Sequence, residues 1–269
     1  MTVSNLSTVG SQAMIPDFYR RWLYFDFEER WETRRCAECE QASAAIPLPE
    51  RFSRETKCCT YFPFLPNFTL GNLIEQGKKN ASLKLRLVHG FSHGRVTPLG
   101  VFPPPEYESR RGQWGSEAFG RRLELLCPFF QRTHGLCSIW NERPGVCSSY
   151  ICRSTYGERG QELKRALEAY LNLFEWTLAH ETLWRLGYTQ DDIRLMERLR
   201  AEVVWRPEKV WGEWFEREEE FFTKAFHAAR EVQSVEIDEL MGEEGARLKA
   251  KIRDFLATPA ASYGRVLPP

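Results

Sequence analysis

The sequence has no net charge and no long apolar run. Its 269 residues include 37 Lys and Arg and 37 Asp and Glu, so the formal net charge at pH 7 is zero. A balanced charge gives no field that would draw the chain onto nucleic acid or an anionic membrane. No stretch approaches the roughly 20 apolar residues that a membrane-spanning helix needs. We therefore expect neither nucleic acid nor a membrane as a partner.

Several familiar motifs are also missing. The first residues lack the basic and apolar regions of a secretory signal, which predicts a cytoplasmic protein. There is no phosphate-binding glycine loop and no dinucleotide fingerprint. His180 and Glu181 begin like the zinc motif H-E-x-x-H, but Trp184 occupies the position of the second histidine. Whether the protein is an enzyme stays open at this point.

What the sequence does contain is eight cysteines. They are Cys36, Cys39, Cys58, Cys59, Cys127, Cys137, Cys147 and Cys152. In a reducing compartment, clustered thiols are more typical of metal ligands or redox groups than of disulfides. The alternatives are disulfides, if the protein is exported, and cysteines that pack as small apolar residues. The clustering favours the metal interpretation.

The spacing of the cysteines differs between the two halves of the set. Cys36 and Cys39 form a C-x-x-C pair, which lets two thiolates reach one metal from a turn. The adjacent Cys58 and Cys59 do not easily share one tetrahedral site. The second half is denser, and a predicted hairpin of strands 123–130 and 136–140 brings Cys127 close to Cys137. The four cysteines of that half can form a complete ligand set.

The remaining patterns predict an α+β fold, in which a compact cysteine-rich metal-binding region with short strands precedes a mainly α-helical C-terminal region. The first region covers residues 17–157 and the second residues 158–257, and the two can also form one continuous domain. Apolar periodicity predicts helices over 17–35, 161–186, 191–203 with Thr189 as N-cap, 207–232 and 237–256. Alternation predicts strands over 83–88 and 95–102, and the Pro-rich tail is predicted to be loosely ordered.

The cysteine pattern resembles the CxxCxxCC family of zinc- or iron-chelating proteins, also called the YkgJ-type cysteine-cluster family. That family has a CxxCxxCC box, a cysteine before a hydrophobic stretch, a G-x-C-x-I-aromatic segment, and R-P-x-x-C with a final cysteine a few residues later. The matching residues here are Cys36, Cys39, Cys58 and Cys59, then Cys127, then Cys137 in GLCSIW, then Cys147 in RPGVC, and Cys152. The sequence departs from the family in an insertion between Cys39 and Cys58 and in Ser148, where the family often has arginine.

The resemblance implies that the eight cysteines bind an iron–sulfur cluster, which we favour, or zinc or iron ions. The implied role is storage, electron transfer or sensing. Two alternatives stay open. Proteins similar to this family include flagellin lysine N-methylases, which implies methyl transfer from S-adenosylmethionine to a protein lysine. A purely structural zinc site would instead leave the helical C-terminal region to bind a protein partner.

Polar residues near the cysteines are weaker candidates for the site. His134, in the predicted hairpin turn, and Arg143 are placed where each can donate a hydrogen bond to a thiolate, although a solvated turn and a turn-holding role are the simpler interpretations. His89 and His93 lie in a glycine-rich turn, and a contact with a substrate or a ligand is the less favoured interpretation there.

Overall fold

The computed structural model describes residues 15–23, 39–78, 94–150, 157–202 and 205–257, and the fold is α+β, as predicted. The helices are α1 (Asn67–Gly77), α2 (Pro105–Trp114), α3 (Gly145–Ser148), α4 (Gly157–Arg185), α5 (Gln190–Ala201), α6 (Pro207–Trp211), α7 (Glu218–Glu231) and α8 (Ser234–Ala257). The strands are β1 (Leu65–Pro66), β2 (Arg95–Thr97), β3 (Gly100–Phe102), β4 (Phe130–Gln131) and β5 (Leu136–Cys137). Within the described ranges, no helix is both long and apolar enough to cross a bilayer.

A small antiparallel sheet has the strand order β1-β3-β2. The single strand predicted over 95–102 is wrong, because Pro98 and Leu99 turn the chain and split it into β2 and β3. Gly100 begins β3 with a φ of +147°, and a Cβ at this position would lie 2.0 Å from the carbonyl oxygen of Leu65. Glycine at this position therefore lets β1 and β3 approach each other.

The second hairpin is confirmed in position but is shorter than predicted. Strands β4 and β5 pair Phe130 with Cys137. The flanks that we predicted as strand form 3₁₀ turns instead, at Leu123–Leu125 and Trp140–Glu142. The alternation of apolar residues there reflects burial among loops, because Leu125 and Ile139 are both fully buried without a strand partner.

The long C-terminal helices follow the predicted pattern for the most part. Helix α4 agrees with the prediction over 161–186, and the chain leaves it through Gly187 with a φ of +89°. Helix α5 begins with a capping box, in which the side chain of Thr189 accepts from the backbone N–H of Asp192. Helix α8 matches the prediction over 237–256 but kinks at Gly242, which has a φ of 59°.

Two predicted helices are wrong in part. The helix over 207–232 is broken into α6, a 3₁₀ turn at Gly212–Trp214 and α7, because Gly212 and Glu216 both adopt positive φ angles. The helix over 17–35 is only a 3₁₀ turn at Asp17–Arg21 in its described part. There Tyr19 and Trp22 use their polar atoms for distant partners in the core. Residues 24–38, the strand predicted over 83–88 and the Pro-rich tail lie outside the described residues.

The core joins both parts of the chain. One cluster of buried side chains includes Phe68 and Leu73 of α1, Phe174 of α4 and Phe222 of α7. Helix α4 contributes its apolar stripe to this cluster and packs against α8. The division into regions 17–157 and 158–257 stays a prediction.

Replacing Gly71 with alanine tests the closest helix contact in this core. A Cβ at Gly71 would lie 2.0 Å from the carbonyl oxygen of Phe222 and 2.6 Å from the Cβ of Phe226. We expect Gly71→Ala to lower the free energy of unfolding by about 2–3 kcal/mol, because α1 and α7 must separate. Gly112→Ala is the control, since a Cβ at Gly112 meets nothing within 4 Å, and it should raise the stability by up to about 1 kcal/mol. Equal denaturation midpoints for the two variants would contradict the tight packing.

Candidate metal centre

The first pair of described thiols lies on an irregular segment before the sheet. Lys57 has a positive φ of 49°, which turns the chain just before Cys58 and Cys59. The backbone N–H of Cys59 donates to the carbonyl of Thr56, so this turn is closed by its own hydrogen bond. The ammonium of Lys57 donates to the carbonyl of Gly135 at 2.6 Å. This bond ties the Cys58–Cys59 segment to the turn between β4 and β5.

The β4–β5 hairpin brings two further thiols to the same place. The backbone N–H of Cys127 donates to the carbonyl of Cys59 at 2.8 Å, which fixes the start of the hairpin against the first pair. Cys137 lies opposite Phe130 on β5. The N–H of Ser138 donates to the carbonyl of Phe129 at 2.8 Å and continues the pairing. The prediction that Cys127 and Cys137 come close is consistent with their placement on one cavity, described below.

Cys147 lies on the short helix α3, which is anchored by a buried carboxylate. The side chain of Glu175, on α4, accepts from the N–H of Gly145 at 2.7 Å and from the hydroxyl of Tyr19 at 2.5 Å. A Cβ at Gly145 would lie 2.5 Å from the Cβ of Leu171, so glycine lets α3 lie directly on α4. The position of Cys147 is therefore set by contacts with α4 and with the N-terminal segment.

All the cysteines that the structure describes line one cavity of about 450 Å³. They are Cys39, Cys58, Cys59, Cys127, Cys137 and Cys147. Cys36 and Cys152 lie outside the described residues. No disulfide joins the described cysteines. Within the described part of the chain, no three His, Cys, Asp or Glu side chains are grouped so that they could hold one metal ion. The thiols thus share a cavity without converging on a single point.

Burial and neighbouring thiols control the protonation of this set. Burial raises the pKa of both Cys127 and Cys147, and the other thiols of the cavity raise it further. A hydrogen bond from Cys59 lowers the pKa of Cys58, and the positive charges of Lys57 and Lys164 lower it too. This environment therefore favours the thiolate form more at Cys58 than at Cys127 or Cys147.

The two described polar residues that were predicted near the site differ in their position relative to the cavity. Arg143 is buried, lines the cavity, and stacks on the Trp140 ring with its guanidinium carbon 4.1 Å from the ring centroid. His134 is exposed, contacts the hydroxyl of Thr133, and is not part of the cavity wall. His89 and His93 lie outside the described residues. Of the two described candidates, only Arg143 lies at the site.

Sequence reasoning missed several cavity residues. Lys57 directly precedes the Cys58–Cys59 pair, but its place in the site depends on a hydrogen bond to the carbonyl of a distant residue. No local sequence pattern predicts that bond. Lys164 and Glu168 are one turn apart on α4 and face the cavity, although their helix was assigned to a separate region. The basic residues near the cysteines were the available signal.

No family model, curated protein or solved structure matches this chain, and membership of the YkgJ-type family stays a prediction.

Proposed function

We propose that the thiol-lined cavity binds an iron–sulfur cluster and that the protein serves in electron transfer or redox sensing. The observation that carries this proposal is the meeting of six thiols from separate chain segments on one cavity. Thiolates are the ligands that iron–sulfur clusters use most. When bound, the cluster would supply one-electron chemistry. The protein's own residues would hold the cluster, control access of water and set its electrostatic surroundings.

The size of the cavity favours a cluster over a single zinc ion. A tetrahedral zinc site with Zn–S distances of about 2.3 Å needs four sulfurs within about 4 Å of one another. A cluster of several irons has its ligands at its corners, so its thiolates are separated by the width of the cluster. A cavity of about 450 Å³ also exceeds what one ion requires.

The walls of the cavity suit a redox centre. Phe129 and Ile139 are each 1% exposed and line the cavity beside the thiols. Apolar walls limit solvent access, which is one of the ways in which a protein sets the potential of a cluster. Lys57 and Lys164 add positive charge close to the thiols. These positive charges favour the thiolate form of the cysteines, which is the form that binds a metal.

Metal analysis of the protein purified without oxygen and without a histidine tag tests this proposal. We expect iron and acid-labile sulfide in equal amounts, and a brown protein whose absorption at about 400 nm bleaches on reduction. Zinc at about two ions per chain without colour would contradict the cluster and indicate closed structural sites. Retention of neither metal after anaerobic reconstitution with iron and sulfide would contradict metal binding as a whole.

A further inference from the structure

The cavity is large enough for a small molecule. Its volume of about 450 Å³ falls within the range of about 300–1,000 Å³ that is typical of small-molecule sites. Such sites combine apolar walls with a few convergent polar groups. Phe119, Phe129, Ile139 and Val146 provide apolar wall here. The polar groups therefore indicate what the remaining space would accept.

Positive charge dominates the polar lining. Lys57, Arg111, Arg143 and Lys164 all line the cavity, whereas Glu168 is its only carboxylate among the described residues. Lys57 and Arg143 are 8% and 5% exposed, and Arg111 lies on the exposed surface of α2. The cations thus extend from the buried interior to the mouth. An anion entering the cavity would meet positive charge along its whole path.

Aromatic rings and backbone groups hold these cations in place. The guanidinium of Arg143 donates to the carbonyl of Trp140 at 2.8 Å in addition to stacking on its ring. The ammonium of Lys164 lies 4.2 Å from the centroid of the Tyr150 ring, and the Arg111 guanidinium lies 5.4 Å from that of Tyr61. Side chains that are ordered in advance lose less entropy when a ligand binds. The geometry is therefore suited to ligand recognition.

Arg111 and Lys164 contact aromatic rings through their charged ends and line the cavity with positive charge. We propose that the cavity is also a binding site for a small organic anion, which carries a carboxylate or a phosphate and lies beside the thiols. This site shares the cavity of the proposed cluster but does not depend on the metal.

Titration with simple aromatic anions tests the anion site. Benzoate represents carboxylates and phenyl phosphate represents phosphates, while uncharged benzamide and cationic benzylamine match them in shape. We expect at least one of the anions to bind with a Kd below about 1 mM by calorimetry, at least tenfold more tightly than benzamide. The stronger anion identifies the headgroup class. Benzamide binding as tightly as both anions, or a Kd above about 1 mM for both anions, would overturn the proposal.

A charge-removal variant locates the binding to this cavity. We expect Arg111→Gln/Lys164→Gln to weaken binding of the preferred anion at least tenfold, because two charge-assisted contacts are lost. Arg110→Gln/Arg165→Gln is the matched control, because it removes two charges from the same two helices, and both arginines are exposed and do not line the cavity. An equal loss in both variants would overturn the location. Both residues of the double variant lie outside the core, so the fold should persist.

The anion site and the cluster can fail independently. Each titration is made on the metal-free protein and on the reconstituted protein, with iron and sulfide measured in the same samples. Anion binding without iron would support the site and contradict the cluster. Iron and sulfide without anion binding would support the cluster and overturn the site.

Discussion

Replacing Cys127 and Cys147 together with alanine is expected to remove about nine-tenths or more of the bound iron and sulfide. Both cysteines line the cavity, one at the start of the β4–β5 hairpin and the other on α3. The four described cysteines that remain include the adjacent Cys58 and Cys59, which do not easily serve one centre, so fewer than four well-placed thiolates are left and water would reach the iron. Alanine at position 127 also removes the sulfur that accepts from the backbone N–H groups of Phe129 and Phe130, so we expect a modest loss of stability as well. Iron, sulfide and the visible spectrum measure the effect.

The control for the cysteine variant lies in the same hairpin. His134 is exposed in the turn between β4 and β5 and does not line the cavity, so His134→Ala should keep the full metal content. Thermal unfolding of the metal-free proteins separates loss of ligands from loss of the fold. We expect the double cysteine variant to unfold cooperatively without metal. Wild-type iron and sulfide contents in that variant would rule out both residues as ligands.

The stability of the metal-free protein is expected to fall as the pH rises from about 5 to about 8, because Glu175 must ionise in the core. Burial raises the pKa of Glu175 from 4.5 to about 7, although hydrogen bonds from Tyr19 and Gly145 oppose the shift. The folded state thus holds a proton that the unfolded state has already released. The stabilisation of the folded state by this proton is complete below the pKa of Glu175 in the unfolded chain. It is lost as the pH rises through the pKa of Glu175 in the folded protein. The free energy of unfolding is expected to fall by about 3 kcal/mol over this pH range.

Glu175→Gln isolates this contribution, since glutamine mimics the protonated carboxyl group. We expect the variant to match the wild type at pH 5 and to be about 3 kcal/mol more stable at pH 8, as measured by urea unfolding. Tyr19→Phe should lower the stability at pH 8, because it removes a hydrogen-bond donor to the ionised carboxylate of Glu175. If Glu175→Gln follows the wild type at every pH, Glu175 does not titrate in this range.

The sequence predicted those elements whose signals are local. Helix α4 has a continuous apolar stripe and a terminal glycine, and α5 has its capping threonine, so both were placed within a few residues. The β4–β5 turn was also found, because Gly135 marks it with a φ of 61°. Each of these features depends on neighbours a few residues away in the chain.

Features that depend on distant contacts were not predicted. The Tyr19–Glu175 bond joins residues 156 positions apart, and it anchors to the core the 3₁₀ turn at Asp17–Arg21, which is part of the described portion of the helix predicted over 17–35. The breaks at Gly212 and Glu216, where φ is 53° and 64°, interrupt a strong helical periodicity, and no local pattern in the sequence predicts them. For the site, the cysteine spacing indicated a shared centre, but the contribution of α4 through Lys164 and Glu168 requires the tertiary structure.

The anchor of Cys147 also bears on when a cluster can be inserted during synthesis. Glu175, which holds the start of α3, lies thirty residues after Gly145 in the chain. A growing polypeptide gains about 5–20 residues each second, so every cysteine of the set is made before the carboxylate that fixes Cys147. A cluster delivered to the nascent chain would meet an incomplete cavity. Insertion of the proposed cluster is therefore expected to follow the folding of α4.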